Sequence, residues 1–346
     1  MHVTNLLRLP YDMMRPLYEM TSIHRAVISE VDDPDLQESY RLCRAITREH
    51  AKTFYLSTRF LPNHKQRSIF AIYALCRYVD DLVDEAEDCA DQSTLELHSL
   101  EQKLEAFEQD LHQAYQTGAS EHPILRAFAD TLQRFEIPKD YPLLLMKGVG
   151  QDLTIDRIQT FQEMYDYSYK VASVVGLMTS EVFGYDSPEA LTHAVDLGIA
   201  MQLTNILRDV GEDLEKGRIY LPADELEQFG VTEEALFDHK RSPEFRAMMQ
   251  YQIDRARSYY ESAKMGISML SADSRLPVCL ALENYSRILD KIEQNDFDVF
   301  SHRAHLTLSQ KLEILPRVYQ RIKERPQKSS TQSDQSLPSK ESSVDC

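Results

Sequence analysis

Two acidic segments set among apolar residues constrain the fold of this chain more than any other feature. The first contains Asp80 and Asp84, and the second contains Asn205, Asp209 and Asp213 at intervals of four. On an α-helix, residues four apart lie on the same face, so each segment predicts a column of oxygen-bearing side chains. Aspartate is a poor helix former, and stacked like charges repel each other. Such columns are favourable when a cation lies between them.

The two columns predict a site for a hard divalent cation. Mg²⁺ prefers carboxylate and amide oxygens and completes its shell with water or substrate phosphate, and Mn²⁺ accepts the same ligands. Arg77 lies on the same helix face as Asp80 and Asp84, where its guanidinium would hold a phosphate that the metal also touches. A single motif of this kind is usually a solvated surface, but two in one helical chain favour a metal site. An EF-hand is excluded, because neither segment has the glycine and the distant glutamate of that loop.

Composition predicts an all-α protein. Only 10 glycines and 14 prolines interrupt 346 residues, and no dinucleotide fingerprint or Walker loop is present. We expect a single helical domain over 38–325, an N-terminal arm over 1–37 with amphipathic character, and a disordered polar tail over 326–346. Helical patterns cover 36–56 and 160–183, and a helix through the second acidic motif should stop at Gly217.

Charge and cysteine usage exclude several classes of protein. A net charge of −18 argues against nucleic-acid binding, which needs a basic surface. Local arginines and metals still permit a phosphorylated small substrate. Five scattered cysteines indicate reduced thiols and a cytoplasmic protein, with a plastid location left open. No apolar run is long enough to span a membrane. The amphipathic arm is a candidate contact for peripheral attachment to a membrane surface.

Taken together, these motifs resemble the squalene/phytoene synthase family. The resemblance is carried by Asp80-x-x-x-Asp84 and Asn205-x-x-x-Asp209-x-x-x-Asp213, with His50-x-Lys52-Thr53-Phe54 upstream and Arg218-x-Tyr220-Leu221-Pro222 downstream. It extends over about 38–320. The segments 51–56 and 295–300 look most like the phytoene-forming members.

The resemblance implies a fold and a reaction. The fold would be a helical bundle of the isoprenoid synthase type with a central cavity. The reaction would join two prenyl diphosphates head to head through a cyclopropyl diphosphate. Our preferred expectation is a Mg²⁺-dependent synthesis of phytoene from two geranylgeranyl diphosphates without NADPH. The alternative is squalene or dehydrosqualene from two farnesyl diphosphates.

The resemblance also assigns roles to residues. Metal ligands would be Asp80, Asp84, Asn205, Asp209 and Asp213. Diphosphate contacts would come from His50, Lys52, Thr53, Arg77, Tyr285 and Arg303, with Arg218 a weaker candidate that is placed to turn back toward the metals. The cavity would be lined by Tyr73, Tyr167, Val171, Ala172 and Gln202. The expected catalytic set is Asp80, Asp84, Asp209, Asp213, Tyr73 and Arg77. Ala51 stands where many relatives have serine, which removes one hydroxyl from the phosphate site.

Two further readings compete with this one. A non-catalytic scaffold would keep its acidic helices for partner binding and would tolerate loss of Asp80 or Asp209. A chain-elongating prenyl synthase or a terpene cyclase also carries paired acidic motifs on a helical bundle. The column at Asn205, together with the His-x-Lys-Thr-Phe segment, disfavours both the chain-elongating synthase and the terpene cyclase.

Overall fold

A computed structural model describes residues 27–87 and 94–324, without the side chains of 53, 84–87, 94–101 and 322–324. No strand occurs in these ranges, where extended pairing is limited to two isolated bridges, so the predicted all-α class is confirmed. The α-helices are α1 Pro34–His50, α2 Lys52–Thr58, α3 Asn63–Glu87, α4 Thr94–Thr117, α5 Pro123–Leu132, α6 Asp140–Gly150, α7 Phe161–Ser168, α8 Val174–Phe183, α9 Glu189–Glu215, α10 Ala223–Phe229, α11 Glu233–Phe237, α12 Pro243–Gly266, α13 Ala272–Gln294, α14 Leu308–Glu313 and α15 Leu315–Glu324.

Local chemistry explains several helix ends. Asp33 caps α1 by accepting from the backbone amides of Asp35 and Leu36, and Pro34 supplies a preset first turn. Thr307 and Gln310 form a reciprocal capping box at α14. The predicted stop after the second acidic motif is confirmed, since α9 ends at Glu215 and Gly217 has a φ of +75°.

The helix expected over 36–56 is interrupted, and that prediction was wrong. Ala51 has φ −129° and ψ 56°, which are not helical, so α1 ends at His50 and α2 begins at Lys52. The helix expected over 160–183 is continuous but is not uniform. Between α7 and α8 the residues Tyr169–Ser173 form one turn of π-helix, an arrangement that often occurs at functional sites.

Buried side chains form two large apolar clusters. The first contains residues of α1, α3, α5, α6 and α8, and α3 packs against each of these helices. The second is centred on α9, α12 and α13, with α9 packed along α12. Tyr169, Val171, Leu197 and Ile267 touch both clusters and mark the seam between them. A cavity of about 50 Å³ lies at this seam and is lined by Leu197 and Ile267.

The chain ends bear on the expected domain limits. Residues 1–26 of the predicted arm and the predicted tail at 326–346 lie outside the described residues. Val27, Ile28 and Val31, from the end of the arm, are buried in the first cluster, and Arg67 of α3 donates to the carbonyl of Val27 at 2.5 Å. Across 27–87 and 94–324, no helix combines the length and the apolarity that crossing a bilayer requires.

Candidate active site

The two acidic motifs lie on helices that belong to different halves of the molecule. Asp80 and Asp84 are on α3, which packs in the first cluster, and Asp209 is on α9, which packs in the second. The seam between the clusters therefore runs between the two motifs. Val171, one of the predicted cavity residues, lies on this seam.

The first motif groups Tyr73, Arg77 and Asp80 on one side of α3. Arg77 forms a salt bridge with Asp81 one turn further along the helix. Burial raises the pKa of Tyr73, and Arg77 and Asp80 both act on it electrostatically. All these side chains are partly exposed. The backbone of Asp84 continues α3, but its side chain lies outside the described part of the structure.

The second motif is dominated by a double arginine contact on Asp209. Arg208 donates from Nε at 2.7 Å and from Nη2 at 2.5 Å to the two carboxylate oxygens. Arg303 donates to the same two oxygens at 2.9 and 3.0 Å. Both oxygens of Asp209 are therefore engaged by charge-assisted hydrogen bonds. Arg303 was a predicted site residue, whereas Arg208 was not.

Asn205 and Asp213, the other members of the second column, would each be stabilised by a bound cation. The amide nitrogen of Asn205 donates to Gln202 Oε1 at 3.2 Å. Its oxygen Oδ1 is buried and has no hydrogen-bond partner among the described residues. Burial, and then the charge of Asp209, raises the pKa of Asp213 to about 7. A bound metal would give the Asn205 oxygen a partner, and it would stabilise the ionised form of Asp213, which burial and Asp209 disfavour.

These donors fit a hard divalent cation in their chemistry. They are not assembled as a finished cage, since the described residues contain no group of three or more His, Cys, Asp or Glu side chains arranged to hold a metal. Asp209 is engaged by arginines, and the Asp84 side chain is not among those described.

Aromatic and arginine side chains connect the two motifs. Tyr73 of α3 interacts electrostatically with Tyr285 of α13, and Tyr285 in turn lies in hydrogen-bonding range of Arg208. Phe54 of α2 packs beside Tyr73, with ring centroids 5.9 Å apart. The predicted residues Tyr73 and Tyr285 thus lie near each other.

A second group of predicted residues meets around Asp152. Arg218 donates to the backbone oxygen of Asp152 at 2.5 Å, and the hydroxyl of Tyr220 donates to its carboxylate at 3.0 Å. Tyr167 stacks on Tyr220 with ring centroids 5.4 Å apart. Arg218 also lowers the pKa of Asp213, so this group adjoins the second motif.

The upstream basic segment lies at the junction of α1 and α2. His50 and Lys52 are exposed there, and the Thr53 side chain lies outside the described set. Lys52 lies near Lys311 of α14, whose pKa is lowered by burial and by the charge of Lys52. Two lysines placed close together favour an anion. None of these three residues is linked to the acidic motifs by a described hydrogen bond.

Backbone contacts fix the π-turn that carries Val171 and Ala172. Gly198 of α9 lies against it so closely that an added Cβ would come within 2.4 Å of the Ser173 Cα. Ser173 also donates from its hydroxyl to the carbonyl of Val195 at 2.8 Å. The absence of a side chain at Gly198 therefore lets the α9 backbone pack directly on the π-turn at Ser173.

Three residues of this region were not predicted from sequence. Arg208 and Asp209 are adjacent in the sequence, and helical spacing places adjacent residues on different faces. The long side chain of Arg208 nevertheless folds back to the Asp209 carboxylate. Asp152 carried a weak signal, since an acid follows an otherwise apolar helix end. Lys311 carried none, because only tertiary structure brings it to Lys52.

Comparison with solved structures defines the class of protein. A dehydrosqualene synthase crystal structure superposes with a TM-score of 0.75 at 28% identity, covering 84% of this chain and 98% of that chain. A squalene synthase from Alicyclobacillus acidocaldarius gives 0.70 at 26% identity, covering 79% and 99%. The fold is that of the helical isoprenoid synthases, as expected.

Sequence comparison narrows this class to a family. The family model described as squalene/phytoene synthase matches residues 47–310. A 15-cis-phytoene synthase from Synechococcus elongatus is 43% identical over 293 residues, covering 81% of this chain and 92% of that protein. A chloroplastic phytoene synthase 2 from Solanum lycopersicum is 39% identical, covering 83% and 91%. The chain belongs to the squalene/phytoene synthase family.

Proposed function

We propose that the protein is a prenyltransferase that joins two geranylgeranyl diphosphates head to head and releases phytoene. One observation carries this assignment. Identity to phytoene synthases of cyanobacteria and plants is 39–43% over more than four fifths of the chain, against 28% for the dehydrosqualene synthase. The paired acidic motifs and the arginines beside them supply the groups that ionisation of an allylic diphosphate needs.

A divalent metal, Mg²⁺ in our proposal with Mn²⁺ as a substitute, would supply Lewis-acid stabilisation of the departing diphosphate. The residues that would hold it are Asp80, Asp84, Asn205, Asp209 and Asp213. Asn205 and Asp213 support this choice, because one has a buried acceptor without a donor and the other a raised pKa.

Positive side chains would bind the diphosphate itself. Arg77 on α3 and Arg303 beside Asp209 flank the seam from its two sides, and Lys52 with Lys311 adds charge near α2. Fixed positive charge stabilises the negative charge that develops on the leaving oxygen. Removing one donor of this kind typically costs about 3–4 kcal/mol of activation free energy.

Tyrosines would protect the allylic cation and would not act as its base. Tyr73, Tyr167 and Tyr220 offer aromatic faces, which stabilise cations when water is excluded. Burial raises the pKa of all three hydroxyls, and Asp152 raises those of Tyr167 and Tyr220 further. Hydroxyls held in their protonated form are poor proton acceptors, so the released diphosphate is the better base for the final proton loss.

Product analysis tests the assignment. Purified protein would be incubated with geranylgeranyl or farnesyl diphosphate, with Mg²⁺ or with EDTA, and with and without NADPH. We expect phytoene from the C20 substrate alone, without NADPH, and no product with EDTA. A hydrocarbon formed only from farnesyl diphosphate, or only with NADPH, would instead indicate the squalene-type alternative. Full activity of Asp209→Asn would favour the scaffold reading.

We also propose peripheral attachment to a membrane, in the cytoplasm or in a plastid. The product is a pure hydrocarbon and the substrates are amphiphilic, so a membrane surface is the natural place to take up one and release the other. Co-flotation of the full chain with anionic phospholipid vesicles would support this. Protein left entirely at the bottom of the gradient, at low and high salt alike, would contradict it.

A further inference from the structure

A short segment after α13 reaches back over the second acidic motif. We call residues 295–303 the strap. It begins at Asn295, the C-cap of α13, and ends at Arg303, whose guanidinium holds Asp209. The family resemblance gives Arg303 a contact to diphosphate, but it does not say why Arg303 lies on a carboxylate expected to bind metal.

The strap rests on α9 through backbone at Gly211. The amide of Gly211 donates to the carbonyl of Val299 at 3.3 Å. A Cβ added at Gly211 would lie 2.7 Å from that oxygen and 3.0 Å from the Cα of Phe300. Any side chain here would push the strap away from the helix. Gly211 lies between Asp209 and Asp213, so the strap is seated within the acidic motif itself.

Further contacts hold the strap in one conformation. The Asp298 carboxylate accepts from the Ser301 amide at 2.9 Å, and the Phe300 ring stacks on His239 at 4.9 Å. Asp296 and Phe297 have φ values of 55° and 57°, a region that residues other than glycine enter at some cost. Asp296 is held there by an ion pair with Arg246 at 2.5 Å. A backbone fixed in a costly conformation often marks a functional segment.

The two arginines on Asp209 differ in their freedom to leave. The Arg208 side chain is 14% exposed and belongs to the same helix, whereas that of Arg303 is 51% exposed and ends the strap. Arg303 also lies 3.5 Å from Glu212, so its charge is shared between two acids. Another cation can therefore take the place of the Arg303 guanidinium at Asp209 with little disturbance of the rest of the protein.

We infer that Arg303 is a latch on the metal site, positioned by the backbone seat at Gly211. In this arrangement Arg303 and a metal ion compete for Asp209, and Arg303 passes to the diphosphate when metal and diphosphate arrive together. The latch ties metal affinity to the presence of substrate, because diphosphate gives the displaced guanidinium a new partner. This inference deepens the proposed function and rests on it.

Binding of Mn²⁺ to the purified full chain tests the latch without any turnover. The fraction of free Mn²⁺ would be measured by electron paramagnetic resonance, with and without inorganic pyrophosphate, after correction for Mn²⁺ bound by pyrophosphate in solution. Arg303→Gln should bind Mn²⁺ alone about five-fold more tightly than the natural protein, as expected for loss of one competing, partly exposed ion pair. Pyrophosphate should then strengthen Mn²⁺ binding less than in the natural protein. Arg303→Lys should fall between the two.

Variants of the strap distinguish the effect of the backbone contact at Gly211 from that of the Arg303 guanidinium. Gly211→Ala should change Mn²⁺ binding in the same direction as Arg303→Gln, because it displaces the strap and so moves the intact Arg303 guanidinium away from Asp209. Asp298→Ala, which loosens the strap without a backbone clash, should do the same if Gly211→Ala does not fold. Arg134→Gln, which removes an exposed guanidinium paired with Asp130 of α5, is the matched control and should bind as the natural protein does.

The outcomes are distinct. Arg303→Gln that binds Mn²⁺ alone no more tightly than the natural protein would overturn the latch. Unchanged Mn²⁺ binding in both strap variants would overturn the seat at Gly211. Phytoene synthesis by the natural protein is measured in parallel. Its absence would count against the proposed function, whereas its presence with unaltered Mn²⁺ binding counts against the latch only.

Discussion

Burial beside Asp209 raises the pKa of Asp213 to about 7, whereas an aspartate in an unfolded chain titrates near 4. Between these two values the folded state binds a proton that the unfolded state has released. Folding stability therefore falls as pH rises from about 4 to about 7, and the full cost is present above that. A residue kept at such a cost is typical of a functional site.

The first prediction follows from this cost. Asp213→Asn should raise the free energy of unfolding at pH 8, measured in EDTA by urea denaturation, by about 1–3 kcal/mol. The gain should shrink as pH falls toward 4, because the natural carboxyl then carries its proton. The same variant should lose nearly all turnover with Mg²⁺. A destabilised Asp213→Asn at pH 8 would show that the carboxylate is satisfied by its protein neighbours.

At the residue scale, spacing predicted the acidic column but not its partners. Asn205, Asp209 and Asp213 share one face of α9 because residues four apart must do so. Arg208 reaches Asp209 by bending a flexible side chain across that face, which spacing does not encode. The need for glycine at 211 arises from Val299, nearly ninety residues later in the chain, so it was not readable from the motif alone.

At the scale of elements, close backbone contact decides where the π-turn lies. Gly148 of α6 and Gly198 of α9 touch Tyr169–Ser173 from two sides, and a Cβ on either would meet atoms at 2.6 or 2.4 Å. The extra residue of a π-turn changes the helix phase between α7 and α8. It thereby sets which side chains of this segment reach the seam.

The second prediction compares two glycine variants. Gly198→Ala should destabilise the protein by about 2–3 kcal/mol through overpacking, and should lower turnover about tenfold by moving Val171. Gly150→Ala is the matched control. Gly150 ends α6 with open space around it, so alanine there should stabilise by about 0.5–1 kcal/mol. Thermal unfolding and initial rates of both variants give the comparison. Equal effects would exclude the contact at Ser173 as the cause.

Most helices could be predicted from the sequence, and the exceptions have physical causes. Long stretches of helix-forming residues with few glycines predict α3, α9 and α12. The break at Ala51 carries no glycine or proline, and it separates two segments that pack against different neighbours, α2 on α13 and α1 on α3 and α5. The π-turn likewise depends on neighbouring glycines rather than on its own residues.

At the scale of the whole molecule, one buried lysine ties α3 to the start of α13. Lys65 of α3 donates to the Phe183 carbonyl at the end of α8 and to Asp273 at the start of α13, both at 2.8 Å. Helix α13 itself passes from the first cluster at Val278 to the second at Leu282. Elsewhere the seam is bridged mainly by half-buried apolar side chains. The Lys65 contacts therefore fix the first-cluster end of α13, whose other end is buried in the second cluster.

The third prediction concerns this tie. Lys65→Met leaves the Phe183 carbonyl without its buried donor and Asp273 without its cation. We expect a loss of about 1–3 kcal/mol in urea unfolding, below the full value for a buried pair because the Asp273 side chain is 39% exposed. Lys264→Met, which removes a surface pair with Glu261, should change stability by less than about 0.5 kcal/mol. In Lys65→Met with Asp273→Asn the combined loss should be smaller than the sum of the single losses, because one interaction would be counted twice. Strictly additive losses would mean that Lys65 stabilises α3 locally and does not join it to α13.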